Sequence, residues 1–228
     1  MYVLFFDIDG TLINTGGSGM EALRRAFTEV FDCPPPDNIP TGGRTDRGIA
    51  RDLFHGRRIT DSEENWTRLC AAYLRHLREQ LPRRPGRVLP GVVSLLEGLA
   101  ARRHVALGLL TGNIAEAARL KLEHFGLDHH FTFGGYGERS YERNAVAQDA
   151  LAAAHRALNS TVLADRVWVI GDTRSDIQCA RHIGAHALAV ATGMHDKAEL
   201  ARAAPDLLLD DLLQTEDFLQ RLDEAKAA

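Results

Sequence analysis

The sequence predicts an α/β protein, a doubly wound and mostly parallel sheet with an all-helical insertion near its start. Three observations carry that expectation. Short apolar, β-branched runs alternate with helical stripes from residue 88 onward. Three helical stripes follow one another with no strand between them in residues 15–87. The stretch PRRPGRVLPG, residues 82–91, breaks the chain with proline and glycine where one pattern gives way to the other. At 228 residues, 45% hydrophobic and 25% charged, the chain can build one sizeable core and a modest insertion.

The elements follow in order. Residues 3–8 read as a buried parallel strand, being short, apolar on both faces and rich in β-branched and aromatic side chains, and they end at Gly10. Residues 14–19, with glycines at 16, 17 and 19, read as a hinge. Leu23, Ala26, Phe27, Val30 and Phe31 then share one helical face, which CPPPD at 33–37 terminates. Ile49, Ala50, Leu53 and Phe54 form a second stripe. Trp66, Leu69, Cys70, Tyr73, Leu74 and Leu77 form a third, opened by Asp61 with Glu64 in capping positions. Strands are expected at 105–110, 131–133, 167–170, 187–190 and 207–209, with helices between them. The expected organisation is a Rossmann-like core of residues 1–14 and 88–228, interrupted by a helical cap of residues 15–87.

Composition excludes several classes. A formal net charge of -4 and no run of Lys or Arg give a nucleic-acid backbone nothing to follow. Cys33, Cys70 and Cys179 lack the paired spacing of a zinc site and read as reduced thiols. No basic leader precedes the first apolar stretch, and no uncharged segment reaches membrane-spanning length, so the expected location is the cytoplasm with no membrane partner. The ten histidines show no ligand spacing, and His129 with His130 read as a solvated loop.

Asp7 and Asp9 interrupt the first apolar run one residue apart. In an open parallel sheet the ligand crevice lies beyond the carboxyl ends of the strands, where Thr111, Asp172 and Asp176 also fall. Carboxylates gathered there would repel by about 4 kcal/mol for each pair at 4 Å and an effective dielectric of 20, so a cation is required. All-oxygen ligation without His or Cys suits a hard ion, and Mg²⁺, which bridges to phosphate, fits best. Thr111 and the backbone amides of Gly112 and Asn113, at a helix start, can hold phosphoryl oxygens. In TGGRTDRG, residues 41–48, either Arg44 or Arg47 reaches a second anionic group of the substrate, or Thr45 or Asp46 caps a helix.

FDIDGTL (6–12), LLTGN (109–113) and VIGDTRSD (169–176) resemble three of the four motifs of the haloacid dehalogenase superfamily, with a helical cap after the first. The resemblance spans nearly the whole chain. It implies that Asp7 is the nucleophile that becomes an aspartyl-phosphate, and that Asp9 protonates the leaving oxygen and later activates water. It also implies Mg²⁺ held by the Asp7 carboxylate, the Asp9 main-chain carbonyl and Asp172, with Asp176 in support and Thr111 on the phosphoryl oxygens. The family usually carries a lysine between its second and fourth motifs. Of the three lysines here, Lys197 and Lys226 follow the fourth motif, and Lys121 lies too soon after Thr111 inside a continuous helix. An arginine of GERSYERNAV, residues 137–146, takes its place, Arg143 in preference to Arg139.

The implied activity is phosphomonoester hydrolysis on a small metabolite, of the phosphoglycolate phosphatase kind. A sugar phosphomutase would share the core residues, and a phospho-accepting signalling module would use Asp7 alone. The dehalogenase branch lacks an acid at the position of Asp9. The phosphonate-cleaving branch needs a cap lysine, and none precedes Lys121. The sequence leaves open whether the chain is a monomer or a homodimer.

Overall fold

The structure, a computed structural model, describes residues 1–37 and 39–224. Its central sheet has six strands: β1 (Tyr2–Phe6), β4 (Val105–Leu110), β5 (Gly134–Gly135), β6 (Val167–Gly171), β7 (His186–Val190) and β8 (Leu207–Leu209). Their order is β5-β4-β1-β6-β7-β8, and every pairing is parallel. The chain leaves β1 toward β4 on one side and later returns to β6 on the other. The order therefore reverses at β1, and the crevice expected at such a switch point opens beyond Phe6.

β1 shows why the sheet forms. Val3 and Phe5 pack into one apolar cluster with Val146 and Ile177, while Leu4, Phe6 and Ile8 join another on the opposite face with Leu96 and Phe218. A strand apolar in both parities is what two helical layers demand. Helices α4 (Val92–Ala100), α5 (Ala115–His124), α6 (Arg143–Leu158), α7 (Arg174–His182), α8 (Lys197–Arg202) and α9 (Glu216–Glu224) follow in alternation with the strands.

Between β1 and β4 lies the helical segment: α1 (Ser18–Phe31), α2 (Asp46–Arg57) and α3 (Glu63–Gln80). Its interior is a third apolar cluster around Phe27, Phe54, Leu69 and Leu77, which Ile114 and Ala117 of the sheet layer complete. The two chain passages into and out of it pair as a short antiparallel ribbon, β2 (Ile13–Asn14) with β3 (Arg87–Val88). Gly16 and Gly17 beside it take φ of 61° and 81°, which side-chain-bearing residues rarely adopt.

Two local expectations shift. The strand expected at 131–133 forms at Gly134–Gly135, in register with Leu109 and Leu110. A Cβ at Gly135 would stand 2.3 Å from the Val146 carbonyl, so the close approach of α6 requires glycine in the strand and removes its β-forming signature. α3 is capped by Ser62, whose hydroxyl accepts the Asn65 N–H, one residue beyond the expected Asp61.

Candidate active site

Asp7 is the first residue beyond β1, and Asp172 and Asp176 follow β6, so adjacent parallel strands bring them together. One carboxylate oxygen from each of Asp7, Asp172 and Asp176 lies within 4.8 Å of the others, and all three residues are buried. Glycines make room for this. A Cβ at Gly193 would sit 1.7 Å from Asp172 Oδ2, and one at Gly10 would sit 2.5 Å from it.

Each acid has a distinct environment. Asp172 accepts the Thr11 hydroxyl at 3.2 Å and the Met194 N–H at 3.1 Å. Asp176 Oδ2 accepts the Thr173 N–H and hydroxyl in the capping box that starts α7. The buried Arg143 guanidinium bridges Asp176 Oδ1 at 2.6 Å and Asp7 Oδ1 at 2.9 Å. Asp176 is thus engaged on both oxygens. Arg143 is the first residue of α6.

Burial and like charge raise these carboxyls. Asp172 is pushed up to about 8, first by burial and then by Asp176 and Asp7, against the Met194 and Thr11 donors. Asp7 rises to about 6 by burial, offset by Arg143 and reinforced by Asp176 and Asp9. Burial alone would disfavour the Arg143 charge, yet Asp176 and Asp7 hold it firmly protonated. Three mutually repelling all-oxygen donors fit a hard divalent cation. The Asp9 side chain is not among the converging carboxylates.

The Asp9 side chain turns the other way. Its Oδ2 accepts Asn113 Nδ2 at 2.9 Å and Lys121 Nζ at 2.5 Å. Thr111, fully buried, takes the Asn113 amide on its hydroxyl at 2.8 Å, and the turn from Thr111 through Gly112 and Asn113 opens α5. Lys121, set aside by its place in the sequence, therefore lies in the site. α5 is continuous as expected, but helical side chains lean toward the N-terminus, so an ammonium two turns along returns to the strand end. The available signal was a lysine on the apolar stripe of Ile114, Ala117 and Ala118.

Residues 41–48 close over this turn. Asp46 N–H donates to the Gly112 carbonyl at 2.7 Å, and Asp46 Oδ2 accepts the Ile114 N–H at 2.9 Å. Burial pushes Asp46 up to about 6 despite the opposing influence of Lys121 and that N–H. Thr45 caps α2 through the Gly48 N–H, and the Arg47 guanidinium stacks on Trp66 and Tyr141. Arg44 lines the chamber, but its guanidinium pairs with Asp52 at 2.6 Å. Of the two readings of this stretch, the helix-capping one matches the contacts. Arg139 is absent from the chamber wall. His129 and His130 stack on each other in a surface 3₁₀ turn, and the three cysteines are free thiols.

The resulting chamber, about 350 Å³, has an acidic floor and a wall of Met20, Leu23, Ile49 and Tyr73 from the helical segment. Acids gathered at the carboxyl ends of parallel strands mark the ligand crevice of an α/β enzyme. Comparison supplies the family: the haloacid dehalogenase-like hydrolase profile matches residues 4–190, and the chain belongs to that family. It is 29% identical to a phosphoglycolate phosphatase of Synechococcus elongatus over 97% of this chain and 100% of the relative. It is 28% identical to a phosphoglycolate phosphatase of Chromobacterium violaceum over 94% of this chain and 95% of that one. The solved structure of CbbY from Rhodobacter sphaeroides with phosphate matches with a TM-score of 0.73 and 17% identity, covering 95% of this chain and 97% of that chain.

Proposed function

We propose that the protein is a Mg²⁺-dependent phosphatase that hydrolyses a small phosphomonoester through an aspartyl-phosphate on Asp7. The observation that carries this reading is the convergence of Asp7, Asp172 and Asp176 beside Arg143 at the end of a chamber of about 350 Å³. Mg²⁺, held by the Asp7 carboxylate, the Asp9 main-chain carbonyl and Asp172, would offset the negative charge of the acids and the phosphoryl oxygens.

The chain's own residues divide the remaining work. Thr111 and the amides of Gly112 and Asn113 receive the phosphoryl oxygens at the start of α5. Arg143, fixed by Asp176, steadies the free Asp7 oxygen for attack on phosphorus. Asp9 protonates the departing oxygen and then takes a proton from the water that cleaves the aspartyl-phosphate. Residues 15–87 act as the cap over a core of 1–14 and 88–228, the β2–β3 ribbon being the hinge and the 41–48 loop the edge that meets the phosphate turn. Arg44 anchors that loop through Asp52 and, lining the chamber, stays the cap residue placed to meet a second anionic group of the substrate.

A chamber of this size takes a metabolite rather than a polymer, and phosphoglycolate is the first substrate to test, as the relatives' names suggest. No described helix is long and apolar enough to cross a membrane. With three free thiols and a small phosphorylated substrate, we place the protein in the cytoplasm. The test is phosphate release by wild type and Asp7→Asn across phosphoglycolate, sugar phosphates, nucleotides and pyrophosphate, with Mg²⁺ or EDTA. Asp7→Asn should fold and release no phosphate. Turnover by that variant would remove Asp7 as nucleophile, and undiminished turnover in EDTA would remove the metal.

A further inference from the structure

Lys121 is a buried cation that the proposed phosphoryl-transfer scheme leaves without a task. Its side chain is 5% exposed, while that of its partner Asp9 is 42% exposed. Lysine is almost never this buried without a specific reason, and here the neighbouring stripe of Ala117, Ala118 and Leu122 would accept an aliphatic residue. The ammonium spends two of its three donors on Asp9 Oδ2 and on Asn113 Oδ1, the latter at 2.6 Å. Asn113 in turn gives its own amide to the same Asp9 oxygen and to Thr111. The helical segment covers the pair from above: a Cβ on Gly19 would lie 3.5 Å from Lys121 Nζ and 3.7 Å from the Tyr73 hydroxyl.

The two carboxylate oxygens of Asp9 are therefore unlike. Oδ2 faces two N–H donors and has no room for a proton, whereas Oδ1 makes no hydrogen bond to any described residue. We propose that Lys121 is a positioning residue: with Asn113 it pins Oδ2 of Asp9 and leaves Oδ1 as the oxygen that exchanges a proton with the leaving group. As the bond from Asp7 to phosphorus forms and the ester P–O bond breaks, the proton on Oδ1 passes to the departing oxygen, yielding a neutral alcohol and an Asp9 carboxylate that Lys121 balances. This inference rests on the acid–base assignment of Asp9 above.

The test uses the leaving group. For the full chain with Mg²⁺, kcat/KM reports steps through phosphoryl transfer, so it is compared for glycerol 2-phosphate, whose alkoxide needs the proton, and p-nitrophenyl phosphate, whose phenolate does not. Asp9→Asn should lower the first value roughly 10² to 10⁴-fold and the second far less. Lys121→Met should show the same selectivity, about 10²-fold against less than tenfold. The double variant should be no slower than Asp9→Asn alone. Lys121→Gln, whose amide keeps two N–H donors without the charge, should recover part of the loss and carries the same comparison if Lys121→Met does not fold. Equal losses on both esters from the Lys121 variants, with Asp9→Asn still selective, would overturn the inference alone. So would multiplying losses in the double variant, or a loss confined to phosphoglycolate, which would make Lys121 a contact for the substrate carboxylate. An unselective Asp9→Asn would remove the acid role of Asp9 and the inference with it.

Discussion

Arg143 offers one guanidinium to two acids, and that sharing ties its structural part to the role proposed for it at Asp7. Because Asp7 and Asp176 both pair with it, its removal leaves these carboxylates with no counter-charge. Arg143→Met should therefore destabilise the fold by about 3–5 kcal/mol, as breaking a buried pair does, and should abolish turnover. Chemical denaturation checks the first part, and a loss below about 1 kcal/mol, the range of a surface pair, would show that the network does not depend on it. The residue is legible in the sequence because a cation is required near the acids and Arg143 opens a helix. Lys121 is equally present in the sequence, yet its distance from Thr111, counted along the chain, hides its role. On a helix the relevant distance runs back along the axis: six residues beyond Ala115 is about 9 Å, which the lysine, leaning toward the N-terminus, closes together with the side chains of Asn113 and Asp9 that reach to meet it.

At the level of elements, the sheet is readable wherever a short apolar run marks the strand, as in β4, β6, β7 and β8, and most plainly in β6, which is buried on both faces and rich in β-branched residues. It is misplaced at β5, where α6 comes so near that the strand consists of two glycines. The meeting of the 41–48 loop with the turn before α5 could not be read at all, since nothing in either stretch encodes its partner. That meeting is a backbone contact: a Cβ on Gly112 would stand 1.9 Å from the Arg44 carbonyl. Gly112→Ala should push the loop off the turn and so misplace the proposed phosphoryl donors and the proposed cap edge. Because the strain falls on a loop rather than the apolar core, the expected result is a kcat/KM lower by roughly 10²-fold with a nearly unchanged melting temperature. A variant with wild-type kinetics would show that the two stretches separate in the working enzyme.

Across the whole molecule, burying acids for catalysis opposes stability, and pH exposes the conflict. Asp172 rises to about 8 and Asp7 and Asp46 each to about 6, burial being the largest cause in all three. A carboxyl whose folded value lies above its unfolded one holds its proton more tightly in the native state. Its stabilising contribution is complete below the ordinary value near 3.8 and is lost as pH rises through the folded value. Metal-free protein should accordingly lose stability between about pH 4 and pH 8. A divalent cation binds the ionised acids and displaces their protons, so its stabilising effect runs in the opposite direction. Melting curves in EDTA should show a lower Tm at pH 8.5 than at pH 5.5, and Mg²⁺ should raise Tm more at the higher pH. Asp172→Asn should flatten the pH dependence and remove most of the Mg²⁺ shift, since an amide neither repels Asp7 and Asp176 nor offers the ion a charge. A metal-free protein at least as stable at pH 8.5, or a Mg²⁺ shift equal at both values, would mean that the three acids are already neutralised from within the chain, leaving Arg143 sufficient for the fold and the cation without its assigned place.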